Sequence, residues 1–282
     1  MLVGYFTFKE LDRSDGKVKL VMFYVHRYIR LTIPLAFVIA FLIAFLPVIG
    51  QQMSSQFAYG TALSQSEYCR THGWSILLYL NNFFEDGNVC IGVTWYTCDD
   101  MVFFWISLLV IYPMWSNPRG GALTWWFLWL VAATFPSVYQ TLRFDIGTGG
   151  DTIPGADPTF FEGYGKLPGF YEAPWNRFQP YLIGILLGYI LHYTRGKDIK
   201  ISQKLNVLGW QVAFLSAFAV VYGINGQHKG RLSTLENTMY NGFQRIAWSL
   251  SLSWVIFSCS KGLVYKYNKF KISNQIKIKQ SF

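Results

Sequence analysis

Arg27 and Arg30 stand three residues apart in Phe23-Tyr24-Val25-His26-Arg27-Tyr28-Ile29-Arg30-Leu31-Thr32-Ile33-Pro34, so on a helix they share one face. Paired guanidinium groups hold phosphates through charge-assisted, often bidentate hydrogen bonds, which suits a donor carrying several phosphates. The plainer reading is a pair of cations that orients the apolar run behind them. Asp99 and Asp100 are the next candidates, opening a second apolar run in Trp95-Tyr96-Thr97-Cys98-Asp99-Asp100-Met101. A carboxylate at a membrane edge costs free energy unless it is paired or solvated, so each is either a functional group or a wet one at headgroup depth. Arg245, in Gly242-Phe243-Gln244-Arg245-Ile246-Ala247-Trp248, opens the last apolar run at a comparable depth. It is expected to face the bundle interior and pair with Asp100.

The remaining reactive residue types carry less. Cys69 and Cys90 fall in one loop, and a disulfide closing it would contribute about 3 kcal/mol on the chain-entropy model. The alternative is two thiols. Cys98 and Cys259 lie inside apolar runs and are poor partners. Four cysteines without Cys-x-x-Cys or Cys/His spacing give no metal site. His26, His72, His192 and His228 are scattered, with no Ser, Asp or Cys at a catalytic spacing, and are read as structural. Gly147-Thr148-Gly149-Gly150-Asp151 lacks the Lys-Ser/Thr ending of a phosphate loop and reads as a plain loop. Gly184 and Gly188 form a small-xxx-small face, a packing device between membrane helices.

These residues need a membrane to position them. The chain of 282 residues is 52% hydrophobic and 14% charged, well short of the roughly 25% charge that covers a soluble domain. The net charge of +9 could suggest nucleic acid as a partner, but the cations alternate with apolar runs instead of forming one patch. Spans are predicted at Leu31–Ile49, Trp95–Trp115, Ala122–Leu142, Phe178–Thr194, Leu205–Gly223 and Gly242–Ser260, each about long enough to cross. Trp74–Phe84 is apolar but too short, and is expected at the interface or re-entering. With residues 1–30 in the cytoplasm and sides alternating, most of the 24 basic residues fall inside, and Arg70, Arg143, Lys166, Arg177, Lys229 and Arg231 fall outside. The predicted fold is therefore all-α, a polytopic bundle of about six spans with both termini cytoplasmic. It divides into a membrane domain over 1–262 and a basic tail over 263–282. The 143–177 segment, rich in Gly, Pro and acidic residues, reads as a long outer loop, and no cleavable signal peptide is visible. Leu2-Val3-Gly4-Tyr5-Phe6 looks like the tail of a span that begins further upstream.

The segment Phe23–Pro34 resembles the aromatic-Arg-x-x-Arg-Leu-Thr-x-Pro signature of the acyltransferase 3 family, in its nose-resistant-to-fluoxetine-like branch. The likeness continues in order. Cys69, Trp74, Leu77-Leu78-Tyr79, Asn81-Asn82-Phe83, Cys90, Trp95-Tyr96 and Asp100-Met101 resemble that branch's outer loop and next span. Tyr171, Pro174-Trp175, Arg177, Pro180-Tyr181, Gly184 and Gly188-Tyr189 resemble a later segment, and Arg245, Trp248, Cys259 and Gly262 the span after it. The resemblance covers roughly residues 1–262. It implies a membrane O-acyltransferase that uses a cytosolic donor such as acyl-CoA as co-substrate and a hydroxyl-bearing acceptor, with Arg27 and Arg30 as the family's functional arginine pair. The family's catalytic His, on a span before that pair, has no counterpart in this sequence, and the family continues past Gly262, so the chain is expected to be either truncated at both ends or a divergent non-catalytic member.

Two function classes follow. The first is an acyltransferase-family membrane protein with no assignable catalytic residue and no bound cofactor. Its substrate-binding candidates are Arg27, Arg30, Asp100 and Arg245, and its partners are the bilayer, an acyl donor and a hydroxyl acceptor. The second is a non-enzymatic bundle that binds or transports lipids or small hydrophobic molecules. Such a carrier is expected to show related halves and broken helices, and neither is visible.

Overall fold

The computed structural model describes residues 1–17, 20–52, 56–83, 90–118, 120–144, 146, 172–197, 199, 201–223 and 233–262. The Gly147–Asp151 loop, most of the acidic 143–177 segment, Arg119, His228 and the basic tail lie outside those residues. The described residues form α1 (Leu2–Arg13), α2 (Leu20–Gln51), α3 (Gln56–Leu77), a 3₁₀ turn at Asn81–Phe83, α4 (Thr94–Ser116), α5 (Gly121–Phe144), α6 (Pro174–Tyr193), α7 (Gln203–Gly223) and α8 (Thr234–Ser260), and no strand. Four of these helices are long and apolar enough to cross a membrane: Val21–Gln51, Thr94–Ser116, Gly121–Arg143 and Gln203–Gly223. Only 11% of the first and the last is buried, against 56% of Thr94–Ser116, so α4 is the most buried of these four and the others turn more apolar surface outward. That outward surface suits lipid, not water. α6 and α8 occupy the other two predicted spans but interleave Arg177, Gln179 and His192, or Asn241, Gln244 and Arg245, with their apolar residues.

Two compact units divide the described chain: Met1–Arg13 with Val110–Gly150 and Phe178–Phe282, and Ser14–Leu109 with Asp151–Arg177. In the first unit α1 takes in the Leu2–Phe6 stretch and continues to Arg13. Gly4, Thr7, Phe8 and Leu11 form its buried stripe at helical spacing. That stripe lies on α6, where Gly184 and Gly188 let two backbones meet. A Cβ on Gly188 would stand 2.7 Å from the Tyr5 nitrogen and 2.8 Å from the Met1 carbonyl oxygen, and one on Gly4 3.1 Å from the Ile185 Cα. The lower end is pinned by polar groups. The Asp12 carboxylate accepts from the Trp115 indole at 2.7 Å and meets His192 Nε2 at 2.6 Å. A separation of 180 residues hid that partner from any spacing argument. α8 packs on both α5 and α7, and Gly209 on α7 lies directly against the Trp254 ring.

In the second unit α3 returns antiparallel along α2, as the ordered contacts Gly50 with Ala62, Ile39 with Gly73 and Thr32 with Tyr79 show. The segment Trp74–Phe84 is not one element: Trp74–Leu77 is the last turn of α3, and Asn81–Phe83 the 3₁₀ turn. α2 itself is 32 residues, about 48 Å at 1.5 Å per residue, and exceeds the roughly 30 Å hydrocarbon core.

Two predictions follow from these contacts. Gly188→Leu should force α1 off α6, because the atoms met are backbone and cannot swing aside. The expected loss is about 1–3 kcal/mol, read as a lowered unfolding temperature in detergent, with Ala in between. At α8 a capping box links Ser233 and Glu236, and the Ser233 amide and hydroxyl donating to its carboxylate hold Glu236 below the usual carboxylate range. That support is present above the ordinary Glu range and is lost as pH falls through the lowered value. The protection of the Thr234–Asn237 amides, their exchange taken relative to the unprotected rate at the same pH, should therefore fall only in acid, and Ser233→Ala at neutral pH should lower it roughly fivefold, as a lost N-cap does.

Candidate functional site: the Arg27–Asp100 cluster

The polar cluster of the second unit is built where the first half of α2 runs beside the first half of α4. The register is antiparallel. Phe23 stacks on Phe104 with centroids 4.5 Å apart, the Tyr24 hydroxyl donates to the Trp105 carbonyl at 3.1 Å, and Arg27 reaches Asp100. The Arg27 guanidinium donates to the Asp100 carboxylate at 2.5 Å and lies over the Phe104 ring, 4.3 Å from its centroid. Both side chains are mostly withdrawn from solvent, 23% and 31% exposed. A charge there would be costly alone, and the carboxylate and the ring face together offset that cost. Arg30, one turn further along α2, is exposed.

This pairing corrects the depth assigned from the sequence. With Arg27 at the inner end of one span and Asp100 at the outer end of the next, about a bilayer's thickness would separate them. The ion pair puts them at one level, because α4 begins beside the middle of α2 and not beside its far end. Arg245 lies half-buried on α8 in the first unit, its carbonyl accepting from the Ser249 hydroxyl at 2.7 Å.

Around the pair the chain is braced by groups that spacing alone did not single out. α3 ends in a Schellman turn: the Leu80 amide donates to Ser75 and the Tyr79 amide to Ile76. Tyr79 therefore sits at φ 57, where glycine usually stands, a strain of about 1–2 kcal/mol. Its ring is fully buried, its hydroxyl shares a hydrogen bond with Thr32 at 3.1 Å, and its carbonyl accepts from the Cys98 thiol. Those contacts offset the strain and fix α3 against both α2 and α4. Asn82 donates at 2.8 Å both to the Asp99 carboxylate and to the Trp95 carbonyl, and at 3.1 Å to the Glu172 carbonyl. Asp99 is only 2% exposed, so of the two acids it is the structural one. The Arg177 guanidinium lies over the Trp95 ring at 4.5 Å. A disulfide joins Cys69 to Cys90, and Gln65 donates to the Cys90 carbonyl, tying the start of α4's approach to α3.

Among the described histidines, His26 is exposed, His72 Nδ1 bonds the Thr71 hydroxyl and His192 is engaged with Asp12. No group of three or more His, Cys, Asp or Glu able to hold a metal occurs among the described residues. The cluster holds one guanidinium against a carboxylate and a ring and leaves a second exposed one turn away, an arrangement that suits an anion.

A double-mutant cycle separates the two partners considered for Asp100. Arg27→Ala and Asp100→Ala should be non-additive by about 1–2 kcal/mol in thermal unfolding, the scale of a mostly buried pair. Arg245→Ala with Asp100→Ala should be additive if Arg27 alone holds that carboxylate.

The acyltransferase 3 family model, which describes an acyltransferase domain, matches residues 1–270. Among curated proteins, the chain is 24% identical over 204 residues to nose resistant to fluoxetine protein 6 of Caenorhabditis elegans, covering 69% of this chain and 24% of that protein. It is 27% identical over 176 residues to regulator of hypoxia-inducible factor 1 of the same worm, covering 60% of this chain and 34% of that one. The matched region thus spans about a quarter to a third of the length of these relatives. No solved structure matches the chain. With nearly its whole length under that model, and helices apolar enough to cross a bilayer, the chain belongs to the acyltransferase 3 family of integral membrane proteins.

Proposed function

We propose that the protein is a membrane acyltransferase that moves an acyl group, other than an amino-acyl group, from a donor such as acyl-CoA to a hydroxyl acceptor. The observation that carries this reading is the Arg27–Asp100 pair, standing at the family's arginine motif with Arg30 exposed one turn away. Arg30 makes the first contact with the donor's phosphates. Arg27, braced on Phe104, is already oriented and can exchange the Asp100 carboxylate for a phosphate oxygen. Its Nε is buried without a hydrogen-bond partner among the described residues, so an anion that replaced Asp100 would gain a donor the ion pair leaves unused. In the transfer itself, the acceptor oxygen bonds to the acyl carbon as the thioester bond breaks, and the hydroxyl proton passes to the departing thiolate. No described residue is assigned as the base for that proton.

The test is acyl-CoA binding by the chain in nanodiscs. Arg30→Ala and Arg27→Ala should each weaken it by roughly tenfold to a hundredfold, the loss expected of a charge-assisted bond. Membrane insertion should be unchanged. Unaltered binding in both variants would reduce the arginines to orienting charges. Bound lipid with no release of CoA in the presence of acceptor would instead favour binding or transport without catalysis.

A further inference from the structure

The first unit holds a lateral groove of about 730 Å³ between α7 and α8, distinct from the arginine cluster. Leu205, Leu208, Val212, Ala213, Leu250 and Trp254 form most of its wall. Its polar lining is slight: Ser251 donates its hydroxyl to the Ala247 carbonyl at 2.9 Å and offers a visitor little. Gly209 leaves room for the Trp254 ring at one end of the groove, and Gly223 lies against the Tyr240 ring further along the same two helices.

We infer that this groove seats one acyl chain of an anionic glycerophospholipid. Length is the first argument. From Leu205 to Ser216 it runs about 17 Å at 1.5 Å per residue, close to half of the roughly 30 Å hydrocarbon core, the depth of one leaflet's chains. Charge is the second. Gly209 facing Trp254 brings the N-terminus of α7 and the C-terminus of α8 to the same end of the groove. Lys204 is exposed there, and Lys261 is tied by its ammonium to the Thr194 carbonyl, which brings the exposed Arg195 and Lys197 to that end as well. Asp198 is the acidic residue of the 195–204 segment, among Arg195, Lys197, Lys200 and Lys204. A chain in the groove thus has its headgroup among cations, and cations near a leaflet surface draw anionic lipids. At the opposite end the sequence sets Glu236 against Lys229 and Arg231, so basic residues outnumber acidic ones most strongly at the α7 N-terminal end.

This inference does not depend on acyl transfer, and its test reads no turnover. The full chain in nanodiscs is irradiated with phosphatidylserine or phosphatidylcholine bearing a diazirine on one acyl chain, and labelled peptides are mapped. Label from phosphatidylserine should concentrate on Leu208, Val212 and Leu250 over the outward residues Phe214, Leu215 and Phe218, which are 60–68% exposed. Ser216→Leu, which fills the groove at a half-buried position, should cut that label several-fold, since each methylene displaced is worth roughly fourfold. Lys204→Glu, on the surface, should remove the preference for phosphatidylserine without moving the label. Even labelling of groove and outward face would overturn the inference, as would cross-linking of the groove residues to a second copy of the chain. Equal labelling by the two lipids in the unaltered protein would overturn the anionic headgroup.

Discussion

A guanidinium in an apolar helix has to be neutralised where it stands, and the register of the second unit follows from that requirement. Arg27 lies eight residues into a helix that is otherwise almost free of charge, and Asp100 lies seven residues into α4. Bringing them to 2.5 Å fixes how far α4 slides along α2. The aromatic contacts then fall into place one turn on, with Phe104 shared between the Phe23 ring and the Arg27 cation. A register that separated the two would leave each partly buried charge without this partner, which is unfavourable.

The same pressure explains the bracing around the pair. Asp99 neighbours Asp100 in sequence but faces another way, and it is met by the Asn82 amide. Tyr79 accepts a strained backbone because its buried ring and hydroxyl cannot be supplied by the glycine its conformation prefers. Elsewhere, side-chain donors find main-chain carbonyls: Trp126 meets Leu182, Gln179 meets Ala133 and Tyr240 meets Val220. In apolar surroundings a main-chain carbonyl is the partner these donors find in place of water.

The two arginines of the motif are consequently unequal. One is immobilised by a carboxylate and a ring, and the other is exposed to whatever approaches. The anion site proposed at this pair would spend little ordering one of its donors on binding, because the fold already holds Arg27 in place. The lipid groove works by a different physics, apolar length matched to a leaflet with charge at one end. The two sites belong to separate units and make separate demands on the sequence.

Hydropathy and charge, read along the chain, were sufficient for the all-helical membrane class and for the place of each apolar helix, but not for where α2 and α8 begin, which is at Leu20 and Thr234 and not at Leu31 and Gly242. Those properties are local, since a helix must satisfy its own backbone in lipid and can be recognised from one stretch. Arg27, Arg30 and Asp100 were also legible, because a charge beside an apolar run is conspicuous. The residues that meet were not. Arg27 and Asp100 are 73 positions apart, Asp12 and His192 are 180 apart, and α3 is too polar for a hydropathy signal and too weakly amphipathic for a periodic one. Partnership depends on how far antiparallel helices slide past each other, and that slide is set by buried charges and glycine contacts acting across the fold. Only the tertiary structure could decide it.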